Sequence, residues 1–378
     1  MTAAVAPPQS VRLRTLLRGE PLPWDAQDDA GAELLRRYAE QGVVGLLHER
    51  LRDRPASDWP PEILHTLTEQ ARADAAVELL RQHEIITTLN ALAAAGIAPI
   101  LLKGSALAYT IYDMPSSRPR SDTDFLIRYE DVEAVRAVMT RLGYAAPIYC
   151  DGELLFRQFE LAKTDRFGVH HAFDFHWKIS TQSVFADILT YDELAAHTVP
   201  VAALGPHAQA GGSLHALLLA CIHPVMHHRN DERLVWLYDI HLLASQLPAA
   251  ALDRFAELAI AKRVAAISAH QLTAAREAFG TRIPDHLIAT LVQTRSAERS
   301  AAYLAPGRRW RHELISCLQG LPSWTDRIRL LCEVVCPSPG FMLRRYRIRP
   351  RAARSALLPA LYLHRAVHGL WKVAVGRK

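Results

Sequence analysis

Ile100-Leu-Leu-Lys-Gly-Ser-Ala-Leu-Ala108 and, a little further on, Arg118-Pro-Arg-Ser-Asp-Thr-Asp-Phe-Leu-Ile127 decide the fold. The first stretch lies in an apolar run, Ile97 to Leu102, bounded by Gly96 and ended by Lys103-Gly104-Ser105. That pattern predicts a short buried strand running into a turn. Ser105 is then placed to cap a helix over Ala106 to Tyr112. Gly104 allows close approach of backbone to a ligand, and free N–H groups at a helix start attract phosphate. In the second stretch Asp122-Thr123-Asp124 heads another apolar run, Phe125 to Ile127. Side chains alternate across a strand, so Asp122 and Asp124 share a face. Two carboxylates on one face repel unless a cation sits between them. Mg²⁺ held by carboxylates and substrate phosphates fits that arrangement.

In the order strand, Gly-Ser, helix, strand with Asp-x-Asp, the region resembles the nucleotidyltransferase fold of the DNA polymerase beta type. More narrowly, Leu102-Lys-Gly, Tyr112, Arg118-Pro and Ser121-Asp-Thr-Asp-Phe-Leu-Ile resemble the uncharacterised nucleotidyltransferase family of bacteria. The resemblance implies an α+β fold, with a small mixed sheet and flanking helices between N-terminal and C-terminal helical regions. It also implies that Gly104 and Ser105 hold a nucleoside triphosphate, ATP in the first instance, and that the paired Asp residues bind two Mg²⁺ ions, with Mn²⁺ as the alternative. Lys103 and Arg118 would neutralise the leaving pyrophosphate. Genes of this family often stand beside polysaccharide or peptide natural-product genes, which suggests a biosynthetic gene cluster. The spacing from Gly-Ser to Asp-x-Asp is longer than in kanamycin nucleotidyltransferase but suits this family.

Outward from the core, Leu154 to Ala162 and Gly168 to Ile179 read as two strands joined by a hairpin-like turn over 163–167. Phe173, Phe175 and Trp177 alternate onto one face, and Asp174, His176 and Lys178 onto the other. A carboxylate between bulky neighbours needs a partner. The resembled superfamily puts its third metal carboxylate, and its general base, on such a later strand, and Asp174 matches that position. The alternative is a surface strand on which Asp174 is paired to an arginine. Replacing Asp124 by Asn is expected to stop transfer and leave folding near normal, because like-charge repulsion falls.

Further on, Ser213 to His228 is apolar-periodic and carries His215, His223, His227 and His228. The resembled family follows such a helix with Arg-Leu-x-Trp-Leu-x-Asp-Ile, kept here as Arg233, Leu234, Trp236, Leu237, Asp239 and Ile240. We read this as a helical wall over the site. His176, His227 and Arg233 are candidates for contact with phosphates or acceptor, and Asp239 for orienting a basic side chain or acting as a base. A structural Arg–Asp network accounts for the same residues. His223 and His227 have a zinc-compatible spacing, but no Glu follows the first and further ligands at usable spacing are lacking.

The 378 residues suffice for two or three domains. The division expected is 1–96 helical, 97–205 nucleotidyltransferase core, 206–340 helical and 341–378 a basic tail. Half of the residues are hydrophobic and 22% charged, which excludes a disordered chain. The N-terminus lacks a signal-peptide pattern, no apolar run reaches membrane-spanning length and the five cysteines are scattered, so a cytoplasmic location is expected. Net charge is +5, yet residues 334–378 hold ten Lys or Arg and no Asp or Glu, leaving −5 on the other 333. The tail reads as a solvated helix end, with an anionic membrane as the alternative contact; no specific nucleic acid is expected. The function expected is metal-dependent transfer of a nucleoside monophosphate to an unidentified acceptor. The alternatives are a catalytically inactive nucleotide-binding protein on the same fold and a metal hydrolase using the His-rich helix.

Overall fold

A computed structural model describes residues 13–15, 17–20, 24, 31–52, 58–146, 156–228, 230, 231, 233–294, 298–305, 310–321, 323–337, 339–346, 348 and 357–375. The N-terminal helices are α1 (Gly31–Glu40), α2 (Val44–Arg52) and α3 (Pro61–Ala94). Pro61 occupies the first turn of α3, where its missing N–H has no partner to lose. The mixed region follows as β1 (Ile100–Leu101), α4 (Lys103–Thr110), β2 (Thr123–Leu126), α5 (Val132–Arg141), β3 (Gln158–Thr164), β4 (His170–His176), short helices α6 (Ser183–Ala186) and α7 (Tyr191–Ala195), β5 (Thr198–Pro200) and β6 (Gln209–Gly211). Then come α8 (Ser213–His227), α9 (Leu234–Gln246), α10 (Ala249–Ala261), α11 (Ala265–Phe279), α12 (Asp285–Thr294), α13 (Trp310–Gly320), α14 (Trp324–Val335), α15 (Pro339–Arg345) and α16 (Leu358–Val375).

The six strands lie in the order β3-β4-β2-β1-β6-β5. β2 runs parallel to β4 and antiparallel to β1, and β1 runs parallel to β6. The register sets Thr123 beside Phe173, Asp124 beside Asp174, and Phe125 beside Phe175. Because side chains alternate, one face carries Phe125, Phe159, Phe173 and Phe175, whose rings stack across the strands. That face packs on Val135, Val138 and Met139 of α5 and on Ile85, Leu89 and Leu92 of α3. The opposite face contributes Ile100, Leu102 and Leu126 to a larger cluster with α8, α9 and α11. α3 belongs to both cores, through Ile63 and Leu67 at one end and Ile85, Leu89 and Leu92 at the other. Asp124 and Asp174 stand on the second face, beneath the helical wall.

Two local expectations need correction. The helix after β1 begins at Lys103 rather than Ala106, with Leu102 in the capping position and no side-chain cap. Ser105 lies within the first turn instead of ahead of it. Lys103 takes φ 51°, a left-handed value that side chains disfavour, and this sharp bend ends the strand early. The β3–β4 turn falls at 165–169, not 163–167. The Asp165 carboxylate accepts from the N–H groups of Phe167 and Val169, and Gly168 supplies the positive φ that closes the turn. Leu154, where the first of these strands was expected to begin, lies outside the described residues.

Candidate active site

The β2–β4 ladder brings Asp124, Asp174 and His176 together. Each offers one ligand atom, and these atoms lie within 4.8 Å of one another. Asp124 is buried, and its Oδ1 accepts from Lys103 Nζ at 2.6 Å. The same oxygen lies 2.8 Å from His176 Nε2. Burial pushes the Asp124 carboxyl up, but Lys103 and His176 outweigh it and hold the group well below the usual carboxylate range. The unusual backbone of Lys103 thus aims its ammonium at Asp124. His176 is fully buried, and burial with the Lys103 charge depresses its pKa, so the ring is neutral. With Nε2–H donated to Asp124, Nδ1 carries the lone pair, and that atom is buried without a hydrogen-bond partner.

Asp174 is in a different state. Its Oδ2 accepts from Gln158 Nε2 at 3.1 Å, while Oδ1 is buried without a partner. Burial, followed by the charges of Asp124 and Asp122, pushes its pKa up to about 8. Asp122, partly buried just ahead of β2, is raised to about 6 by burial and then by Asp124. Glu160 pairs across the ladder with Asp174 and adds a fourth carboxylate to the same surroundings. A buried carboxylate oxygen with no hydrogen bond is costly, and a cation relieves both that cost and the mutual repulsion. Two carboxylates and an imidazole around one point therefore fit a divalent cation.

One consequence is a pH dependence. Between the unfolded carboxyl value of roughly 4 and the native value of about 8, the native protein holds a proton on Asp174 that the unfolded chain has released. Protons favour folding in that window, so this contribution is lost as pH rises through about 8. The melting temperature in chelator should fall as pH rises from about 5 to 9, and less steeply in Asp174→Asn. Equal slopes in the two proteins would show that Asp174 does not hold the proton.

The phosphate-side residues are arranged around α4. The N–H groups of Lys103, Gly104 and Ser105 belong to the first turn, which has no intrahelical acceptors for them. Ser105 Oγ donates to the Asp122 carbonyl at 3.1 Å, tying the helix start to the Asp-x-Asp segment. A Cβ on Gly104 would lie 3.3 Å from Arg118 Nη1, so the missing side chain makes room for that guanidinium. Arg118 is buried and forms a two-pronged pair with Asp239, Nε to Oδ1 at 2.8 Å and Nη2 to Oδ2 at 2.7 Å. Tyr112 donates its hydroxyl to the same Asp239 Oδ1 at 2.6 Å. The motif residues Tyr112, Arg118 and Asp239 thus form one buried network, in which Asp239 orients a basic side chain.

The wall places His223 against Trp236 and stacks His228 on the same ring. His227 Nε2 lies 3.4 Å from the Ile179 carbonyl. Burial, then the Lys103 charge, lowers the pKa of His223 and His227 far below the usual histidine range. Arg233 turns elsewhere: its Nε donates to the Glu40 carbonyl and its guanidinium lies over Trp236, joining α9 to α1. Gln158 and Glu160 escaped the sequence reading. Strand alternation from Phe159 and Leu161 would have put both on the Asp174 face.

This mixed sheet, with a helix start and clustered carboxylates beneath a helical wall, defines an α+β protein of the nucleotidyltransferase fold. A family model described as uncharacterised nucleotidyltransferase matches residues 28–280, and the chain belongs to that family. A search of curated proteins returns no match.

Proposed function

We propose that the protein transfers a nucleoside monophosphate from a nucleoside triphosphate, ATP in the first instance, to the hydroxyl of an acceptor such as a sugar, small molecule, peptide or protein. The observation that carries this reading is the unpartnered, buried Asp174 Oδ1 set beside Asp124 and His176. Asp124, Asp174 and Asp122 would hold Mg²⁺ ions; in the tautomer with its proton on Nδ1, His176 Nε2 would add a nitrogen donor that also admits Mn²⁺. When bound, such ions polarise the α-phosphate and lower the pKa of the acceptor hydroxyl. The first-turn amides of α4 receive the triphosphate, since a helix N-terminus favours anions. Lys103 exchanges its contact with Asp124 for the phosphates once other cations compensate Asp124. Arg118, held by Asp239, adds positive charge behind Gly104. Asp174, deprotonated once the cations are bound, is the residue placed to take the acceptor proton, the role that the resemblance implies for its position. The role of the helical wall is to keep water from the neutral His223 and His227 side of the site.

The reading is tested by incubating the protein with labelled nucleotides, Mg²⁺ or Mn²⁺ and candidate acceptors, followed by mass measurement. Gain of one nucleoside monophosphate by an acceptor is expected. Tight ATP binding with no transfer under any condition would instead favour a non-catalytic nucleotide-binding protein.

Lys103→Met is expected to weaken ATP binding by about tenfold at low salt, the scale of one charge contact to phosphate. The deficit should shrink as salt rises. Calorimetric titration at two salt concentrations checks this, and equal affinities in both proteins at low salt would remove Lys103 from the phosphate site.

A further inference from the structure

The nucleotide site leaves the C-terminal helices without a role, and these carry the most exposed apolar side chains. In α14, Trp324, Ile328, Leu331 and Val335 are 76%, 58%, 42% and 58% exposed. Their spacing of four, three and four residues keeps them within one stripe along three turns. In α16, Leu363 and Val367 are 67% and 58% exposed, four apart on one face. The two helices are tied together: Arg365 Nη2 donates to the Val334 carbonyl and Tyr362 to the Pro337 carbonyl. Soluble surfaces rarely leave such stripes bare unless something covers them.

We propose that this C-terminal helical unit lays the protein on an anionic lipid surface, with the apolar stripes in the acyl boundary and the positive charge of the segment drawing it to anionic headgroups. Charge selects the occupant. Residues 334–378 carry ten Lys or Arg and no acidic residue, whereas the rest of the chain is net negative. A second copy would bring two such segments together and meet repulsion between like charges. A nucleic acid would satisfy the arginines but give Leu363, Val367 and the α14 stripe nothing to bury against. An anionic bilayer satisfies both properties at once. No described helix is long and apolar enough to cross a membrane, so the contact lies in the interface plane.

The test uses the full chain, nuclease-treated, and sedimentation with phosphatidylcholine vesicles, either pure or with about one-third phosphatidylglycerol. Binding to the anionic vesicles and not to the neutral ones is expected, with loss at about 0.5 M salt. Two variants separate the contributions. Replacing Arg345, Arg347, Arg349 and Arg351 by Gln should weaken binding at least about tenfold. Leu363→Gln with Val367→Gln should weaken it several-fold, and because both side chains are already exposed, the melting temperature should not move. Three results overturn the proposal. One is absence of binding to anionic vesicles at low salt. Another is RNA or DNA binding as strong as vesicle binding and insensitive to Leu363→Gln with Val367→Gln. The third is a concentration-dependent dimer that the same double variant dissolves.

Discussion

Asp174→Asn is expected to lower nucleotide transfer by at least about a thousandfold, the scale of several kcal/mol of lost charge stabilisation, while the fold stays as stable as wild type or gains stability. Asp174 stands among Asp122, Asp124 and Glu160, and its Oδ1 has no hydrogen-bond partner. An amide of the same shape mimics the protonated carboxyl and keeps an oxygen for Gln158, so stability should be unchanged near neutral pH and higher above about pH 8, where the wild type carries the charge. Asp124→Asn should behave differently. Transfer should fall as far, but stability should fall too, by roughly 3–5 kcal/mol, because a largely buried Lys103 loses its charge partner. This differs from the near-normal folding expected from the sequence alone, because Lys103 and His176 both hold the Asp124 carboxylate. Urea denaturation of the two variants, with a transfer assay on each, checks the contrast. Equal losses of stability would mean that Lys103 and the unpartnered oxygen do not distinguish the two carboxylates.

The second large effect concerns architecture. Arg118→Leu, or Asp239→Leu, is expected to destabilise the protein by about 3–5 kcal/mol, since each leaves a buried, unpaired charge. The double replacement should cost clearly less than the two single costs combined, because neither charge is then stranded. A double-mutant cycle measured in urea reads this directly. Additive losses would show that the pair contributes through packing alone. Tyr112→Phe removes a third contact to Asp239 and serves as a milder probe of the same network.

Much of this was legible from local pattern. Alternation at Phe173 and Phe175 put Asp174 opposite the aromatic core, and the long apolar stripe after Pro61 marked α3. What escaped was set by backbone strain or by distant pairing. Ser105 has the chemistry of a helix cap, yet the helix starts three residues ahead of the expected Ala106, where Lys103 takes a left-handed φ that residue type does not announce. The Arg118–Asp239 pair joins residues 121 apart, a match that no window of sequence contains. In sequence His176 is a candidate for contact with phosphates or acceptor, and only the β2–β4 register shows that it reaches Asp124. Exposed stripes on α14 and α16 look like ordinary core faces in sequence, because periodicity reports amphipathicity and not what covers it.

The pairing of β2 with β4 also bears on how the chain assembles. β3 and β4 meet across a short turn, a local event whose closure entropy is small. β2 and β4 are parallel neighbours, so all of α5 and β3 must be threaded between them before their ladder forms. Until that docking, Asp124 and Asp174 are far apart and experience no mutual repulsion. The electrostatic cost of the site therefore falls on a non-local step, of the kind that makes high-contact-order topologies slow to fold. A nascent chain carries Asp124 and Asp174 as scattered carboxylates, and the cluster that could hold a cation arises only when the sheet closes.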